Sequence, residues 1–452
     1  MPETFQFARL FHGTSANRRI LQAAASVTAA GILVKIVATG KEFVVAGVYG
    51  RSDAMDAYLA AMLIPGLLVN LLSESMNQAL VPTLIRVREK EGHERAQQLL
   101  SSAMLWLCML LIAGSVVMAL GARAFFPLIA SHFDAAKLDL AVQLFYGLLP
   151  IVVITGIATN CTAVLNTFDR FALPALAPVV ISISVIGCAL LLAGKLGIWA
   201  MVYGSVAGAL IHAILVAWMM DRNGYNFRLR WHGMNEATRE VAHQYGPVLL
   251  SGVVASSGLL VDQSMAAMLS AGSVSALVYA NRFVSVVLTL LAGAVSTAVV
   301  PYFSRMIAHR DWAGCRHTLR VWLGLTALVS VPITTALIAG AHLLIRLAFQ
   351  HGAFGERDTA AVTPVLVMYA LQIPFFVVSR VHYRFLVAMR RTDLVLYCGV
   401  LNLALDVVLN LVLMRHFGVA GIALATSLWT VSTFLFLWYW SNRTLRQAEA
   451  KI

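Results

Sequence analysis

The chain has 452 residues, of which 60% are hydrophobic and only 12% are charged, and its mean hydropathy is +0.80. Soluble globular domains carry roughly 25% charged residues, so this composition excludes a soluble enzyme, and it also excludes a disordered, collagen-like or coiled-coil chain. Lys and Arg total 33 against 21 Asp and Glu, a formal net charge of +12. We therefore predict a polytopic membrane protein whose excess basic residues lie on loops between apolar segments.

Twelve apolar segments are long enough to cross a bilayer, which takes about 20 mostly apolar residues. The predicted spans are 21–48, 56–84, 99–127, 138–168, 171–194, 197–220, 241–266, 272–302, 318–347, 361–388, 393–414 and 419–440. The first span lacks the short apolar core and small-residue cleavage site of a secretory signal peptide, so we expect it to stay uncleaved. The predicted fold class is an all-α polytopic membrane protein.

The distribution of Lys and Arg predicts that both termini are cytoplasmic. With the N-terminus inside, the inside segments hold 20 of these residues and the outside loops hold 7. This bias is the positive-inside pattern. The remaining six are assigned to spans or their ends and are Lys35, Lys41, Arg282, Arg320, Arg380 and Arg384.

Four landmarks recur at a nearly constant offset of 219 to 221 residues. The matched pairs are Pro82 with Pro301, Glu42 with Asp262, Tyr58 with Tyr279, and Gly197 with Gly418. They predict two homologous six-helix halves, 21–220 and 241–440, joined by a cytoplasmic linker at 221–240 and flanked by cytoplasmic tails at 1–20 and 441–452. Parallel repeats of this kind are typical of transporters, whose substrate sites lie near the middle of the membrane.

Three cations occur inside predicted spans, where an ionised side chain costs about 2.5–3.5 kcal/mol on insertion scales. They are Lys35, Lys41 and Arg282, and both residue types attract phosphate. We predict a polar, partly cationic cavity in which these three bind an anionic group. The other polar residues expected to line this cavity or to pair with its charges are Glu42, Asn70, Glu74, Asn77, Asn281 and Asp406.

Purely structural explanations stay open for these residues. The charges could pair only with one another, Lys35 with Glu42 or Lys41 with Glu74.

Two further polar groups have equally simple explanations. Asn402, Asp406 and Asn410 form a stripe in the eleventh span, and such a stripe could bond helices together rather than line a cavity. Asp262 and Gln263 lie close to an outside end, so we expect them to be solvated.

Motifs of soluble catalysis and metal binding are absent. There is no GxxxxGK[ST] phosphate loop, no HExxH and no Cys/His cluster, so we expect no ATP hydrolysis, no metal and no cofactor. No loop is long enough to fold as a catalytic domain, which argues against a membrane-embedded glycan polymerase or ligase. The chain is therefore expected not to be an enzyme, and transport would be driven by the membrane potential or an ion gradient.

Several segments, in order along nearly the whole chain, resemble the MviN/MurJ family, which comprises bacterial lipid II flippases of the multidrug/oligosaccharidyl-lipid/polysaccharide exporter superfamily. The matching segments are Asp56-Ala57-Tyr58, Ile64-Pro65-Gly66-Leu67-Leu68, Ser73-Glu74, Ala79-Leu80-Val81-Pro82, Leu165-Asn166-Thr167, Tyr279-Ala280-Asn281-Arg282 and Phe349-Gln350-His351-Gly352-Ala353-Phe354.

The resemblance implies a multi-pass protein of the bacterial cytoplasmic (inner) membrane. We also expect a monomer in the phospholipid bilayer that binds no nucleic acid. It would move a lipid-linked glycan, carried on a polyprenyl diphosphate, to the outer leaflet by alternating access. Family members hold the diphosphate with basic residues of the first, second and eighth spans. By position, this implies diphosphate contacts from Lys35, Lys41 and Arg282, with Glu42 in place of an aspartate and Glu74 as the second-span acid.

Some positions depart from the family pattern. Val69 and Asn70 stand where the family has two arginines, and Ser285 stands at the position of an acid. Twelve spans are predicted here, whereas the family typically has fourteen. The head-group is therefore open between lipid II and an exopolysaccharide repeat unit. A multidrug or cation antiporter of the same superfamily is a further alternative, although its cavity would be acidic or aromatic rather than cationic. A non-transporting scaffold would have little reason to keep charges inside the membrane.

Overall fold

The structure is a computed structural model that describes residues 15–130, 133–168, 172–226, 229–389 and 391–450. All regular secondary structure in these segments is helical, which confirms the predicted all-α class. Residues 1–14 of the predicted N-terminal tail, 1–20, lie outside the described residues. The last two residues of the predicted C-terminal tail also lie outside them.

The described helices follow one another through short connections. They are α1 Ser15–Tyr49, α2 Asp53–Val69, α3 Ser75–Glu91, α4 His93–Ile129, α5 Ala135–Leu165, α6 Ala172–Leu176, α7 Val179–Leu196, α8 Trp199–Arg222, α9 Glu236–Ala267, α10 Ser273–Ala308, α11 Trp312–Ala339, α12 Ala341–Phe349, α13 Glu356–Ala370, α14 Gln372–Ala388, α15 Thr392–Phe417 and α16 Val419–Glu449.

Ten helical stretches of the described residues are long and apolar enough to cross a membrane. The chain is therefore a multi-pass membrane protein. The other two predicted spans, 21–48 and 241–266, fall within α1 and α9, which are helices of 35 and 32 residues. The count of twelve crossings and the cytoplasmic side of both termini stay predictions.

Several predicted spans are interrupted in the structure, two of them in the second half of the chain. The span at 318–347 ends its first helix at Ala339 and resumes after Gly340, and the span at 361–388 breaks at Leu371. Pro374 follows the second break and has no N–H to donate to the carbonyl four residues earlier, so a continuous helix would lose a bond there. Hydropathy counts apolar residues and does not register such breaks in the backbone ladder.

The chain packs as two compact units. Unit 1 is Met1–Lys41, Pro65–Leu120 and Gly147–Leu250, and unit 2 is Glu42–Ile64, Gly121–Tyr146 and Ser251–Ile452. The core of unit 1 includes Met76 and Leu107, and the core of unit 2 includes Tyr279, Phe349 and Phe385. These units are defined by packing. The predicted halves, 21–220 and 241–440, are defined by an internal sequence repeat and stay a prediction.

A π-helical turn, Asn70–Glu74, separates α2 from α3 within unit 1. A π turn shifts the usual bond by one residue and loosens the carbonyl ladder, and such turns occur often at functional sites. Two side chains bond carbonyls of this turn: Tyr245 Oη donates to Leu72 O at 3.3 Å, and Asn160 Nδ2 donates to Ser73 O at 3.4 Å. The wide turn is therefore held by α9 and α5, and both of its end residues are exposed.

Replacement of Tyr245 by Phe should destabilise unit 1 by about 1 kcal/mol, because the Leu72 carbonyl loses a partly buried hydrogen bond. Thermal unfolding of the purified protein in detergent, followed by intrinsic fluorescence, measures this as a lower Tm. Tyr439→Phe is the matched control, since Tyr439 is 53% exposed on α16. Equal Tm values for the two variants would show that Tyr245 does not hold the turn.

Candidate functional site

The Arg282 guanidinium is held by a buried carboxylate on another helix. Arg282 Nη2 on α10 lies 2.6 Å from Glu42 Oε1 on α1, and both residues belong to unit 2. The Glu42 side chain is 4% exposed, whereas the Arg282 side chain is 38% exposed. The carboxylate therefore positions the guanidinium from the buried side and leaves part of it accessible.

The remaining N–H groups of Arg282 can donate hydrogen bonds to a ligand. A guanidinium carries five N–H donors in a planar fork, and Glu42 Oε1 contacts one nitrogen. The Arg282 Nε is buried and has no hydrogen-bond partner among the described residues. Charge-assisted bonds to carboxylate or phosphate oxygens are the strongest such contacts in proteins, so this group suits an anion.

The other two predicted cations lie in unit 1. Lys35 is exposed and Lys41 is half-buried, both on α1. Thr39 Oγ1 donates to the backbone carbonyl of Lys35 at 2.8 Å, one helical turn earlier. Lys35 therefore lies in a regular part of α1. That all three cations contact one ligand stays a prediction.

The polar residues predicted beside these cations differ in burial. Asn70 and Glu74 are exposed at the two ends of the π turn, and Asn77 is half-buried one turn further along α3. Asn281 is half-buried beside Arg282 on α10, and Asp406 is 2% exposed on α15. Asn70 and Glu74 are thus accessible, whereas Asp406 belongs to a different, buried cluster.

That cluster, the acid cluster, consists of Asp262 on α9, Asp406 and Asn410 on α15, and Thr426 on α16. Asn410 Nδ2 donates to Asp262 Oδ1 at 2.8 Å and to Asp406 Oδ1 at 3.1 Å, and Thr426 Oγ1 donates to Asp262 Oδ2 at 3.2 Å. All four side chains are less than one-tenth exposed. The expectation that Asp262 is solvated is wrong, because α15 and α16 cover it.

The acid cluster has more acceptors than donors. An amide NH₂ has two hydrogens, and Asn410 directs them at the two carboxylates. Asp406 Oδ2 and Asn410 Oδ1 remain buried without a hydrogen-bond partner among the described residues. Two buried carboxylates facing one amide repel each other unless a proton or a cation lies between them, and hard cations prefer oxygen ligands such as these.

A second polar network lies at the end of unit 2 that the charge pattern places outside. Asp56 on α2 is fully buried, and its carboxylate accepts from Gly272 N at 2.6 Å and from Ser275 N at 2.9 Å. These amides lie at the N-terminus of α10, where backbone donors lack helical partners and the helix dipole favours negative charge. Asp56 therefore caps α10 from a different helix.

Basic residues extend this network, which we call the outer-end network: Arg51, Asp53, Asp56, Lys137, Gly272, Ser275 and Asp358. Lys137 Nζ lies 2.6 Å from Asp53 Oδ1 and 3.3 Å from Asp56 Oδ2. Arg51 donates through Nε to Gly272 O at 3.0 Å and pairs with Asp358 Oδ1 at 3.4 Å. The network thus joins the end of α1 and the starts of α2 and α5 to the starts of α10 and α13.

Close backbone packing accompanies the outer-end network. Gly50 has φ +60°, a backbone conformation that favours glycine, and a Cβ there would lie 2.6 Å from Ala353 O. Both the conformation and the lack of space therefore exclude a larger residue. Ala353 N donates to Gly47 O at 2.7 Å, and Tyr279 Oη donates to Gly50 O at 3.1 Å. The segments at Tyr279 and His351–Phe354, which belong to the family resemblance, thus contact Gly47 and Gly50 at the end of α1.

The sequence pattern identified Arg282, Glu42 and Asp406 as candidate site residues. It assigned no role to Asp56, Arg51 or Thr426. The repeat offset that matched Glu42 with Asp262 was the available signal for the acid cluster. Asp56 stood in a resemblance segment, which is the signal for its role. Its partners are backbone amides about two hundred residues away, and no side-chain motif marks those.

Comparisons with known proteins show the family to which the chain belongs. Residues 45–452 match the family described as "Lipid II flippase MurJ". A probable lipid II flippase MurJ of Synechocystis sp. is 25% identical over 441 residues, covering 94% of this chain and 82% of the relative. The lipid II flippase MurJ of Burkholderia cenocepacia is 28% identical over 365 residues, covering 78% of this chain and 70% of the relative.

Solved structures share the fold. A lipid II flippase MurJ in an inward closed conformation superposes with a TM-score of 0.79 at 23% identity, covering 91% of this chain and 86% of that one. An inward-facing multidrug resistance transporter of the MATE family superposes with a TM-score of 0.76 at 12% identity, covering 94% and 99%. With the family match extending over most of the chain, this protein belongs to the lipid II flippase MurJ family.

Proposed function

We propose that this protein is a lipid II flippase of the bacterial inner membrane. It would carry the lipid-linked precursor as a monomer from the inner to the outer leaflet by alternating access, with no covalent change in the substrate. The names of its relatives support this substrate. The observation that carries the proposal is the Arg282–Glu42 pair, in which a buried acid holds a partly exposed guanidinium inside the membrane.

In this proposal the Glu42 carboxylate takes the place of a substrate phosphate when the site is empty of lipid. A diphosphate offers several anionic oxygens to the Arg282 fork, and Lys35 and Lys41 supply further positive charge. Glu42 reduces the cost of keeping Arg282 charged in the membrane before the substrate arrives. An organic cation would be repelled by the same groups, which disfavours a multidrug antiporter.

Competition for Arg282 would couple binding to movement. The Glu42–Arg282 pair joins α1 to α10, so a diphosphate that takes bonds from Glu42 weakens this connection. A ligand shifts a conformational equilibrium only through different affinities for the two states. Exchange of Glu42 for diphosphate provides such a difference, because the state with α1 released from α10 gains the substrate bonds and loses the internal one.

The outer-end network would be the contact that opens to release the substrate. Its bonds join α1 and α2 to α10 and α13, all within unit 2, at the end predicted to be outside. Most of these bonds end on backbone groups of α10 or on exposed charges, which water can hydrate when they separate. Opening therefore exchanges protein hydrogen bonds for water at modest cost.

The acid cluster would bind the coupling ion, a proton or Na⁺. Its buried carboxylates and its unpartnered oxygens on Asp406 and Asn410 support this role. Inside-negative membrane potential acts on each moving charge with about 2.3 kcal/mol per 100 mV. An inward flow of cations through this cluster could therefore return the carrier after each lipid is released.

Arg282→Ala should reduce lipid II flipping by about tenfold or more, since a charge-assisted hydrogen bond is worth about 1.5–3 kcal/mol. Flipping is measured in proteoliposomes with fluorescent lipid II, and folding by gel filtration. Arg415→Ala, an exposed arginine at the end of α15, is the matched control. Full flipping by Arg282→Ala would refute the assignment, and selective transport of an exopolysaccharide repeat unit by the native protein would replace lipid II as the substrate.

Arg51→Ala should loosen the outer-end network, because Asp358 and the Gly272 carbonyl lose their shared partner. The test uses a variant with its native cysteines replaced and Val274→Cys added, since Val274 is 1% exposed beside Ser275. Its labelling by an aqueous thiol reagent should become faster in Arg51→Ala. Arg346→Ala, an exposed arginine on α12, should leave the labelling rate unchanged. Unchanged labelling in Arg51→Ala would mean that the network does not close this end.

Asp262→Asn and Asp406→Asn should each remove the dependence of flipping on an ion gradient, because the cluster loses the charge that binds the cation. Flipping is compared in proteoliposomes under an imposed Na⁺ gradient and under an imposed pH gradient. Asp139→Asn, on the exposed face of α5, is the control. If both cluster variants keep the full gradient response, the coupling ion binds elsewhere.

A further inference from the structure

Three polar atoms beside the π turn at Asn70–Glu74 belong to neither the Arg282 site nor the acid cluster. They are Ser73 Oγ, Asn77 Oδ1 on α3 and Asn160 Oδ1 on α5, and all lie in unit 1. Each of these atoms is buried and has no hydrogen-bond partner in the part of the chain that the structure describes. Ser73 and Asn160 as whole residues are 0% exposed. Buried polar atoms without partners are destabilising, so a group of them indicates a ligand.

The orientation of the Asn160 amide is fixed by its neighbours. Asn160 Nδ2 lies 3.4 Å from Ser73 O and 3.1 Å from Gly156 O. Both of these atoms are acceptors, so the amide nitrogen must face them and donate a hydrogen to each. Asn160 Oδ1 is therefore on the other edge of the amide, where it can only accept a bond.

The Ser73 hydroxyl approaches the same part of α5. A Cβ on Gly156 would lie 2.8 Å from Ser73 Oγ, so the hydroxyl occupies space that a side chain at Gly156 would fill, one turn before Asn160. In a regular helix a serine hydroxyl can donate to the carbonyl four residues earlier, as Ser115 Oγ does to Leu111 O at 2.7 Å. Ser73 lies within the wider π turn and makes no such bond to a described residue. Its hydroxyl hydrogen is therefore available to a ligand.

The three groups match the bonding capacity of one water molecule. Asn77 follows Ser73 by four residues, which places it about 6 Å further along roughly the same side of the helix. The amide oxygens of Asn77 and Asn160 can accept the two hydrogens of a water, and the Ser73 hydroxyl can donate to the water oxygen. Buried waters typically make about three hydrogen bonds to polar groups that would otherwise be unsatisfied.

A small cation fits this group less well than water does. Hard cations bind oxygen ligands, but a buried charge also needs an opposite charge beside it. Ser73, Asn77 and Asn160 are all neutral, and Glu74, the acid of the π turn, is exposed. An ion would lose its hydration here without a charge to compensate it, whereas a water molecule carries no net charge.

We propose that Ser73, Asn77 and Asn160 form a binding site for one buried water, which links the π turn to α5. A π turn holds one residue more than an α-helical turn, so its conversion to regular helix rotates α2 against α3 by about 100°. By stabilising the π turn, the water sets the orientation of Asn70 and Glu74, which are predicted to lie beside the cations of the substrate site. The site does not depend on which lipid is transported.

Ser73→Ala tests the site through the sign of its effect on the Tm of the purified full chain in detergent. If a water accepts the Ser73 hydroxyl, the variant removes one bond of the network and lowers the Tm by about 1–3 °C. If the hydroxyl has no partner, its removal relieves an unsatisfied buried group, and the Tm stays equal or rises. Ser115→Ala is the matched control, because that hydroxyl bonds only its own helix, and it should leave the Tm nearly unchanged. A Tm of Ser73→Ala at or above the native value overturns the proposal.

Radiolytic labelling in isotopically heavy water detects the bound water in the native protein, and so does not require that the variant folds. Hydroxyl radicals formed from a bound water oxidise side chains beside it that bulk solvent does not reach. Met76 and Cys161 adjoin Asn77 and Asn160 in the chain and are 0% and 1% exposed. We expect heavy oxygen in at least one of them at short exposure, and several times less in Ser73→Ala. Absence of the label from both in the native protein contradicts a bound water.

The same variants distinguish water from a cation. In Asp406→Asn the acid cluster has lost one carboxylate, so a remaining increase of Tm with Na⁺ would come from another site. If that increase disappears when Ser73→Ala is added, the ligand is a cation and the assignment of water is wrong. With water bound, Ser73→Ala lowers the Tm by the same amount in Na⁺ and in choline.

Discussion

The structure depends on one constraint: a charge placed in hydrocarbon must be paired, hydrogen-bonded or hydrated. The described residues meet it in different ways. Arg282 contacts a buried acid, Asp262 accepts from Asn410 and Thr426, and Asp56 accepts from backbone amides of α10. Each solution joins two or more helices, so the same contacts that make the charges tolerable also determine which helices pack together.

The buried charged residues differ in how many of their polar atoms have hydrogen-bond partners. Asp56 receives two backbone bonds and an ammonium, and its role is to hold the start of α10. Arg282 and Asp406 keep donor or acceptor atoms without partners among the described residues. In a low dielectric such an atom costs more than in water, so a ligand that supplies the missing partner gains more there. Binding of a charged ligand is therefore favoured at charged side chains such as these two, where the internal network is one partner short.

The sequence predicted most helices and identified the charged residues inside them, but it did not predict which residues those charges contact. Apolar segments and basic loops determine spans, and Arg282 with Glu42 was recognisable as polar residues inside them. The contact between these two joins positions 240 residues apart and depends on packing rather than spacing. Burial of Asp262 was not predicted, because its place near a helix end does not reveal the cover provided by α15 and α16. The break at Leu371 and the π turn at Asn70–Glu74 likewise involve backbone bonds that hydropathy does not report.

Glu42 and Asp262 occupy matching positions in the predicted repeat, 220 residues apart, and both are buried acids. Their partners differ: Glu42 contacts a guanidinium, whereas Asp262 contacts an amide and a hydroxyl. An acid paired with arginine is neutralised and leaves a fork that attracts anions. An acid beside neutral donors and a second carboxylate has no basic side chain to neutralise it, so the pair of acids attracts a proton or another cation. A duplicated position could therefore give one protein both an anion site and a cation site, and a carrier that couples a lipid diphosphate to an ion gradient needs both.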